Sequence, residues 1–345
     1  MKEALVTAGP TVRIVDSPIP QPGPTQVLIK VIVSGSNPKD WKVPEWSPQK
    51  FNDTNTGDDI GGIVEKVGDQ VFEFRYGDRV AAFHTMRTPG GSYAEYALAE
   101  QHTTFHIPKK TSFEEAAAIP LAALTAAVGL YQRMGLPLPW KPATESIPLV
   151  IYGAASAVGT YTIQFAVKSN IHPLICVAGR GIAHVEQFID KSKGDCIIDY
   201  RDGDDAVVKG LQDAVAKTGK KLMYAYDAVS EKGSYVNICK VLDPNGGKIT
   251  VVLPGKKYEE IPKSVEFSMT AVGSVHAEDS DFGNVFSKYI GRALGQGWFK
   301  AQPQEVVPGG LGGVEQALKN LKEGKASAVK YVFRIADTEG VKSQL

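Results

Sequence analysis

Over the first 110 residues, short apolar runs alternate with Gly, Pro, Asn and Asp, and the long 3.6-residue periodicity of amphipathic helices is absent. The pattern predicts strands over 26–33, 60–67 and 78–83. Gly61 and Gly62 lie inside the second, and glycine within a strand marks a bulge or a close backbone approach. The character changes at Ser112, where Glu115 completes a capping box ahead of the alanine-rich stretch 116–131, a predicted helix. From 147 to 252 the order strand, turn, helix recurs. Strands are predicted at 149–152, 174–177, 196–198, 223–226 and 248–252, with a helix over 160–168 after the first, and such alternation predicts a parallel sheet covered on both faces. Beyond 264 come another strand, helices at 281–295 and 313–324, and a final strand at 328–335. The proline-rich piece 136–148 reads as an excursion before the sheet, not as an interdomain linker.

Length and composition narrow the class. A chain of 345 residues holds two domains or one large one, and 43% hydrophobic with 22% charged residues is ordinary for a globular protein. Thirty-eight basic residues balance 38 acidic ones, so no general attraction to nucleic acid or an anionic membrane is expected, and the ligand should be a small molecule. Three cysteines, Cys176, Cys196 and Cys239, are too few for a disulfide framework or a four-cysteine zinc site. With no apolar span long enough to cross a bilayer, a cytoplasmic enzyme is the expectation.

The chemistry-bearing signal is the turn Gly153-Ala154-Ala-Ser156-Ala157-Val158-Gly159 between a buried strand and a helix. Small residues there let backbone amides approach a pyrophosphate at the positive end of the helix. The turn departs from G-x-G-x-x-G, with Ala154 and Ser156 at the first two glycine positions of that register; a tight turn in any α/β domain is the alternative. About 20 residues on, an NAD-binding half would carry an acidic residue for the ribose hydroxyls. The stretch reads Val177-Ala-Gly-Arg180-Gly, without a carboxylate, and an arginine suits the 2′-phosphate of NADPH. A solvated loop arginine is the other reading.

Several segments together resemble the zinc-lacking, quinone-oxidoreductase-like branch of the medium-chain dehydrogenase/reductase superfamily. They are Ser36-Asn-Pro-Lys-Asp40, Gly57-Asp-Asp-Ile-Gly-Gly-Ile-Val-Glu-Lys-Val-Gly68, Gly77-Asp-Arg-Val80, Gly91-Ser-Tyr-Ala-Glu-Tyr96, Ala118-Ile-Pro with Leu124-Thr-Ala126, and Asp199-Tyr-Arg-Asp202. Ser156-Ala-Val-Gly159 and Asn37-Pro-Lys-Asp-Trp-Lys42 are similar to enoyl reductases, among them the fungal enzymes that act in trans with polyketide synthases. The resemblance implies an α/β fold: a doubly wound Rossmann sheet over 121–269, and a discontinuous GroES-like β-barrel catalytic domain from 1–120 and 270–345. Nicotinamide and substrate would meet in the cleft between them. It also implies Thr125 at the nicotinamide, Arg180 and Tyr200 at the adenosine end, and a small-molecule substrate that includes a carrier-bound acyl chain of a polyketide synthase. It leaves the oligomeric state open.

Zinc-dependent relatives hold their metal with cysteine and histidine where this chain has Asn37 and Asp58, and no cysteine precedes Cys176. No metal site is expected, and the pair His102 and His106 offers no third ligand. Without a Lewis acid, acceptors that delocalise charge are favoured: an enone, an enoyl thioester or a quinone taking hydride at carbon. Lys42 is the candidate donor or proton source in the Asn37 turn, with Lys39 as its neighbour and competitor; an exposed lysine or a phosphate clamp is the plainer reading. Zinc alcohol dehydrogenase activity, or cofactor binding without useful turnover, are the other functions left open.

Overall fold

The computed structural model describes residues 1–341. Their contacts divide them into two units, one made of Met1–Leu121 with the chain from Gly273 onward, the other of Ala122–Val272.

The first unit is organised around the ten-residue strand Gln26–Gly35. It pairs antiparallel with Asp59–Val67, with Tyr96–Glu100 and, at its end, with Lys330–Arg334, where Phe333 faces Ser34. This last pairing draws the C-terminal part of the chain into the N-terminal sheet. Alternation puts Val27, Ile29 and Val31 inward, where they are buried with Tyr93 and Phe333. Gly61 and Gly62 face a register shift between Val31 and Val33. A Cβ on Gly61 would lie 2.5 Å from the Phe113 carbonyl oxygen and one on Gly62 2.3 Å from that of Lys30, so both glycines permit close backbone approach.

The second unit is a six-stranded, all-parallel sheet in the order Cys196–Asp199, Leu174–Ala178, Leu149–Tyr152, Tyr224–Asp227, Lys248–Val251, Glu266–Met269. The central strands Leu174–Ala178 and Leu149–Tyr152 are buried throughout and almost wholly apolar, as strands covered on both faces should be. Strand order reverses at Leu149–Tyr152, the crevice where open α/β sheets bind ligands.

One expectation needs correction. The helix expected over 116–131 is three pieces: Phe113–Ala117, Pro120–Ala127 and a π-helical turn Val128–Arg133. Ser112 and Glu115 do form the reciprocal capping box, but Pro120 has no N–H to extend that helix and instead opens the next. The segment 39–51 forms two helices, Lys39–Trp46 and Pro48–Phe51. Pro44 inside the first hides it from a propensity reading, and packing of Trp41 on the core compensates.

Candidate active site

The nucleotide-fold unit builds its turn from steric necessity. Gly153 has φ +76°, and a Cβ there would sit 2.3 Å from Val229 Cγ2; one on Gly159 would sit 2.3 Å from the Gly153 carbonyl oxygen. Ala154 is buried in the turn, and its N–H and that of Gly153 each donate to the Val177 carbonyl at 3.0 Å. Ser156 caps the helix Ala157–Lys168, its Oγ accepting from Gly159 N–H at 3.0 Å. Ser156, Ala157 and Val158 are half-exposed, so the first turn of the helix is open to an anion.

Arg180 is exposed just beyond the second strand of this sheet, and Tyr200 lies on Gly179, where a Cβ would be 2.5 Å from the ring. The nearby Asp199 is engaged by Arg201, whose Nε lies 2.9 Å away. Thr125 is buried in the helix Pro120–Ala127, and its carbonyl accepts a hydrogen bond from Tyr226 at 2.8 Å. Burial pushes the Tyr226 hydroxyl well above its usual range. Sequence reading missed Tyr226, whose signal was a buried tyrosine between Ala225 and Asp227 in the strand Tyr224–Asp227. A glycine pair shaped for close approach and an open, capped helix start together fit a dinucleotide.

In the β-rich unit, Asn37 is 3% exposed and occupied at both ends of its amide: Nδ2 donates to Asp59 at 2.8 Å, and Oδ1 accepts from Lys330 at 2.8 Å. Lys330 also bonds Asp59, at 2.6 Å. These contacts make Asn37 a fixed part of the wall. Beside it, Lys39 pairs with Asp58 and, at 3.0 Å, with Asp40, whose other oxygen accepts from the Tyr93 hydroxyl and the Asn37 N–H. Burial lowers the Lys39 pKa, but Asp40 and Asp58 outweigh it and the net direction is upward. Burial raises Asp40 to about 6 against the pull of Lys39, and raises Asp58 as well. Tyr93 is pushed well up by burial and then by Asp40.

Lys42 lies one turn further along the helix, half-exposed, with its ammonium 5.4 Å from the Trp41 ring centroid and 5.9 Å from that of Trp46. Sequence reading weighed the two lysines together. The structure separates them: Lys39 is locked among acids and Lys42 is steered by two indole faces.

The histidines have structural surroundings. His84 places its ring nitrogens 2.7 Å from the Leu98 carbonyl oxygen and 3.1 Å from that of Thr88. His102 meets His276 edge-on at 5.3 Å, while His106 reaches Asp78 at 3.1 Å. Burial, then His102 and His84, pull His276 down to about 3. Among the described residues no group of three or more His, Cys, Asp or Glu side chains could hold a metal ion, and no helix is long and apolar enough to cross a membrane.

Comparison with known proteins bears on this arrangement. Residues 23–109 match the alcohol dehydrogenase GroES-like domain. The chain is 55% identical over 311 residues to the trans-enoyl reductase fsr4 of Gibberella fujikuroi, covering 90% of this chain and 91% of that one. Among solved structures, a quinone oxidoreductase of Pseudomonas syringae superposes with a TM-score of 0.75 at 22% identity, over 96% of this chain and 100% of the other. A mycobacterial protein solved with NADPH superposes with a TM-score of 0.74 at 20% identity, over 96% and 99%. At such identities the two structures speak for the fold.

Proposed function

Because the chain belongs to the trans-enoyl reductases of the medium-chain dehydrogenase/reductase superfamily, we propose that it reduces the polarised C=C bond of an enoyl thioester, with NADPH as reductant and without zinc. The observation that carries the zinc-independent part is the occupation of the two metal-ligand positions by protein contacts: Asn37 is bound by Asp59 and Lys330, and Asp58 is paired with Lys39. Neither side chain is a soft or imidazole ligand.

Gly153, Ala154, Ser156, Ala157, Val158 and Gly159 would hold the pyrophosphate, Arg180 and Tyr200 the phosphorylated ribose, and Thr125 the nicotinamide end; the cofactor, when bound, supplies a hydride. The chain's own task is then to stabilise the charge that develops on the thioester oxygen and to deliver a proton to the α-carbon. Lys42 is half-exposed, and the faces of Trp41 and Trp46 restrict where its ammonium points. Asn37 acts through position, tying the start of the Lys42 helix to Asp59 and to Lys330 on the C-terminal strand. The substrate proposed is an acyl chain carried on a polyketide synthase.

The test is NADPH oxidation against a panel of enoyl thioesters, enones, quinones and alcohols, with and without a strong chelator. Deuterium from labelled NADPH should appear on carbon in a saturated thioester, with the chelator having no effect. Alcohol oxidation abolished by chelation, with no alkene reduced, would replace this reading with a zinc alcohol dehydrogenase.

A further inference from the structure

Asp59 opens the strand Asp59–Val67 and is fully buried, yet its two carboxylate oxygens have different tasks. Oδ1 accepts a hydrogen bond from the Leu121 N–H at 2.7 Å. Oδ2 accepts from Asn37 Nδ2 at 2.8 Å and from Lys330 Nζ at 2.6 Å, and Lys330 also donates to Asn37 Oδ1 at 2.8 Å. Asn37 and Lys330 are themselves buried. The reading above uses only the Oδ2 side of this group, as the hold on Asn37.

The Oδ1 side is a helix cap supplied from a distance. N–H groups in the first turn of a helix have no intrahelical acceptor, and the residue placed to cap the helix Pro120–Ala127 is Ile119, whose side chain cannot accept a hydrogen bond. Asp59, 62 positions away in the sequence, supplies the acceptor and brings negative charge to the positive end of the helix. Gly35 keeps the approach open, because a Cβ there would run into the Ala117 carbonyl oxygen and lie 3.2 Å from Asp59 Cβ. On the Oδ2 side, Asn37 leads into the helix Lys39–Trp46, and its N–H donates to Asp40 at 2.7 Å. One carboxylate therefore anchors the starts of two helices, one carrying Thr125 and the other Lys42. A buried ion pair adds little stability over apolar side chains of similar volume, so packing alone does not account for Asp59 and Lys330. What charge-assisted hydrogen bonds add is fixed direction.

We propose that Asp59 is a positioning residue for the reaction: Oδ1 fixes the helix that carries the nicotinamide contact Thr125, and Oδ2, with Lys330, fixes the turn that leads to Lys42. Lys330 balances the charge of the carboxylate and holds the Asn37 amide in one orientation. The assignment rests on the enoyl reductase reading and adds to it the residue on which both contacts depend.

The experiment uses two variants of the full chain. Asp59→Asn keeps an oxygen for the Leu121 N–H but turns an NH2 group toward Asn37 Nδ2 and Lys330 Nζ, so it cuts the Oδ2 side alone. NADPH affinity, by fluorescence titration, should stay within about twofold of the wild type, while kcat for an enoyl thioester falls about tenfold or more. Asp59→Leu/Lys330→Met cuts both sides and leaves neither charge of the pair behind. Here NADPH affinity and kcat should each fall about tenfold or more, with the urea midpoint close to that of the wild type. A lowered urea midpoint with wild-type kcat and affinity in the folded variants would make the group merely structural and overturn the assignment. Equal loss of kcat and affinity in Asp59→Asn would overturn it too. If Asp59→Asn does not fold, the double variant decides: wild-type kcat or wild-type affinity in it refutes the proposal. The affinity measurement needs no turnover and stands apart from the substrate reading. If the wild type reduces a quinone or an enone and no thioester, the substrate reading fails, and the same comparison on that acceptor still tests Asp59.

Discussion

The hydroxyl of Tyr226 donates to the backbone carbonyl of Thr125 at 2.8 Å, inside the nucleotide-fold unit, where both residues are buried. Thr125 precedes the π-helical turn Val128–Arg133, and Gly129 in that turn lies against the tyrosine ring, where a Cβ would approach within 2.3 Å. A carbonyl near such a change of helix pitch can take a donor from outside the helix, and the tyrosine supplies one. Tyr226→Phe is therefore expected to cost about 1 to 3 kcal/mol of stability in urea unfolding. It should also weaken NADPH binding, because Thr125 is the proposed nicotinamide contact. A stability loss with unchanged NADPH affinity would confine Tyr226 to a structural role.

Arg180 is exposed beside Tyr200, whose position depends on Gly179 lacking a side chain. Asp199 is engaged by Arg201, and Arg180 is the residue proposed to meet the 2′-phosphate. NADPH should bind more tightly than NADH, and Arg180→Ala should remove about 1 to 3 kcal/mol of that difference while leaving NADH affinity unchanged. Equal affinities in the wild type, measured by fluorescence titration, would count against NADPH as the cofactor. A preference retained in the variant would move the role to Tyr200.

Much of this arrangement was legible in the sequence where the physics is local. The strand Leu149–Tyr152, the glycine turn and the capping box at Ser112 are written in neighbouring residues, and the structure has them at those positions. The helix break at Pro120 was equally local but lost against the alanine-rich background. The separate fates of Lys39 and Lys42 were not legible. They sit three residues apart on one helix, and what distinguishes them is Asp58, contributed from just before another strand, and Trp41 packed on the core. Lys330 entered the site only because the last strand pairs with Gln26–Gly35, a contact of nearly 300 residues' separation that no local pattern encodes.

The buried acids predict a pH dependence of stability. Asp40 has an ordinary pKa of 3.8 and is raised to about 6 by burial. The native state therefore holds this proton more tightly than the unfolded chain. Its contribution is fully present below pH 3.8 and is lost as pH rises through about 6, amounting to at most about 3 kcal/mol. His276 works in the opposite sense. Its pKa falls from 6.5 to about 3, so its contribution is present above 6.5 and lost as pH falls toward 3. Denaturant unfolding of wild type and Asp40→Asn between pH 4 and 7 isolates the first effect. The difference in stability between the two proteins should change with pH in that window and be constant above it. A difference independent of pH would mean that Asp40 is ionised throughout.

The two lysines of the Asn37 helix give the sharpest test of the proposed chemistry, because their surroundings predict opposite phenotypes. Lys39 compensates two buried carboxylates, and Lys39→Met would leave Asp40 and Asp58 without their cation, at a cost of about 3 to 5 kcal/mol. The Lys42 ammonium rests near two indole faces, an arrangement worth only about 0.5 to 1 kcal/mol to the fold at a half-exposed site. Lys42→Ala should thus unfold within about 1 kcal/mol of the wild type. If Lys42 stabilises the developing oxyanion or delivers the proton, the same variant should lower turnover of an enoyl thioester about 10²-fold or more, with NADPH affinity unchanged. Loss of NADPH affinity at unchanged turnover would make Lys42 a phosphate clamp. Wild-type turnover and wild-type NADPH affinity in Lys42→Ala would exclude it from the reaction, and the proton would then have to reach the α-carbon from another donor.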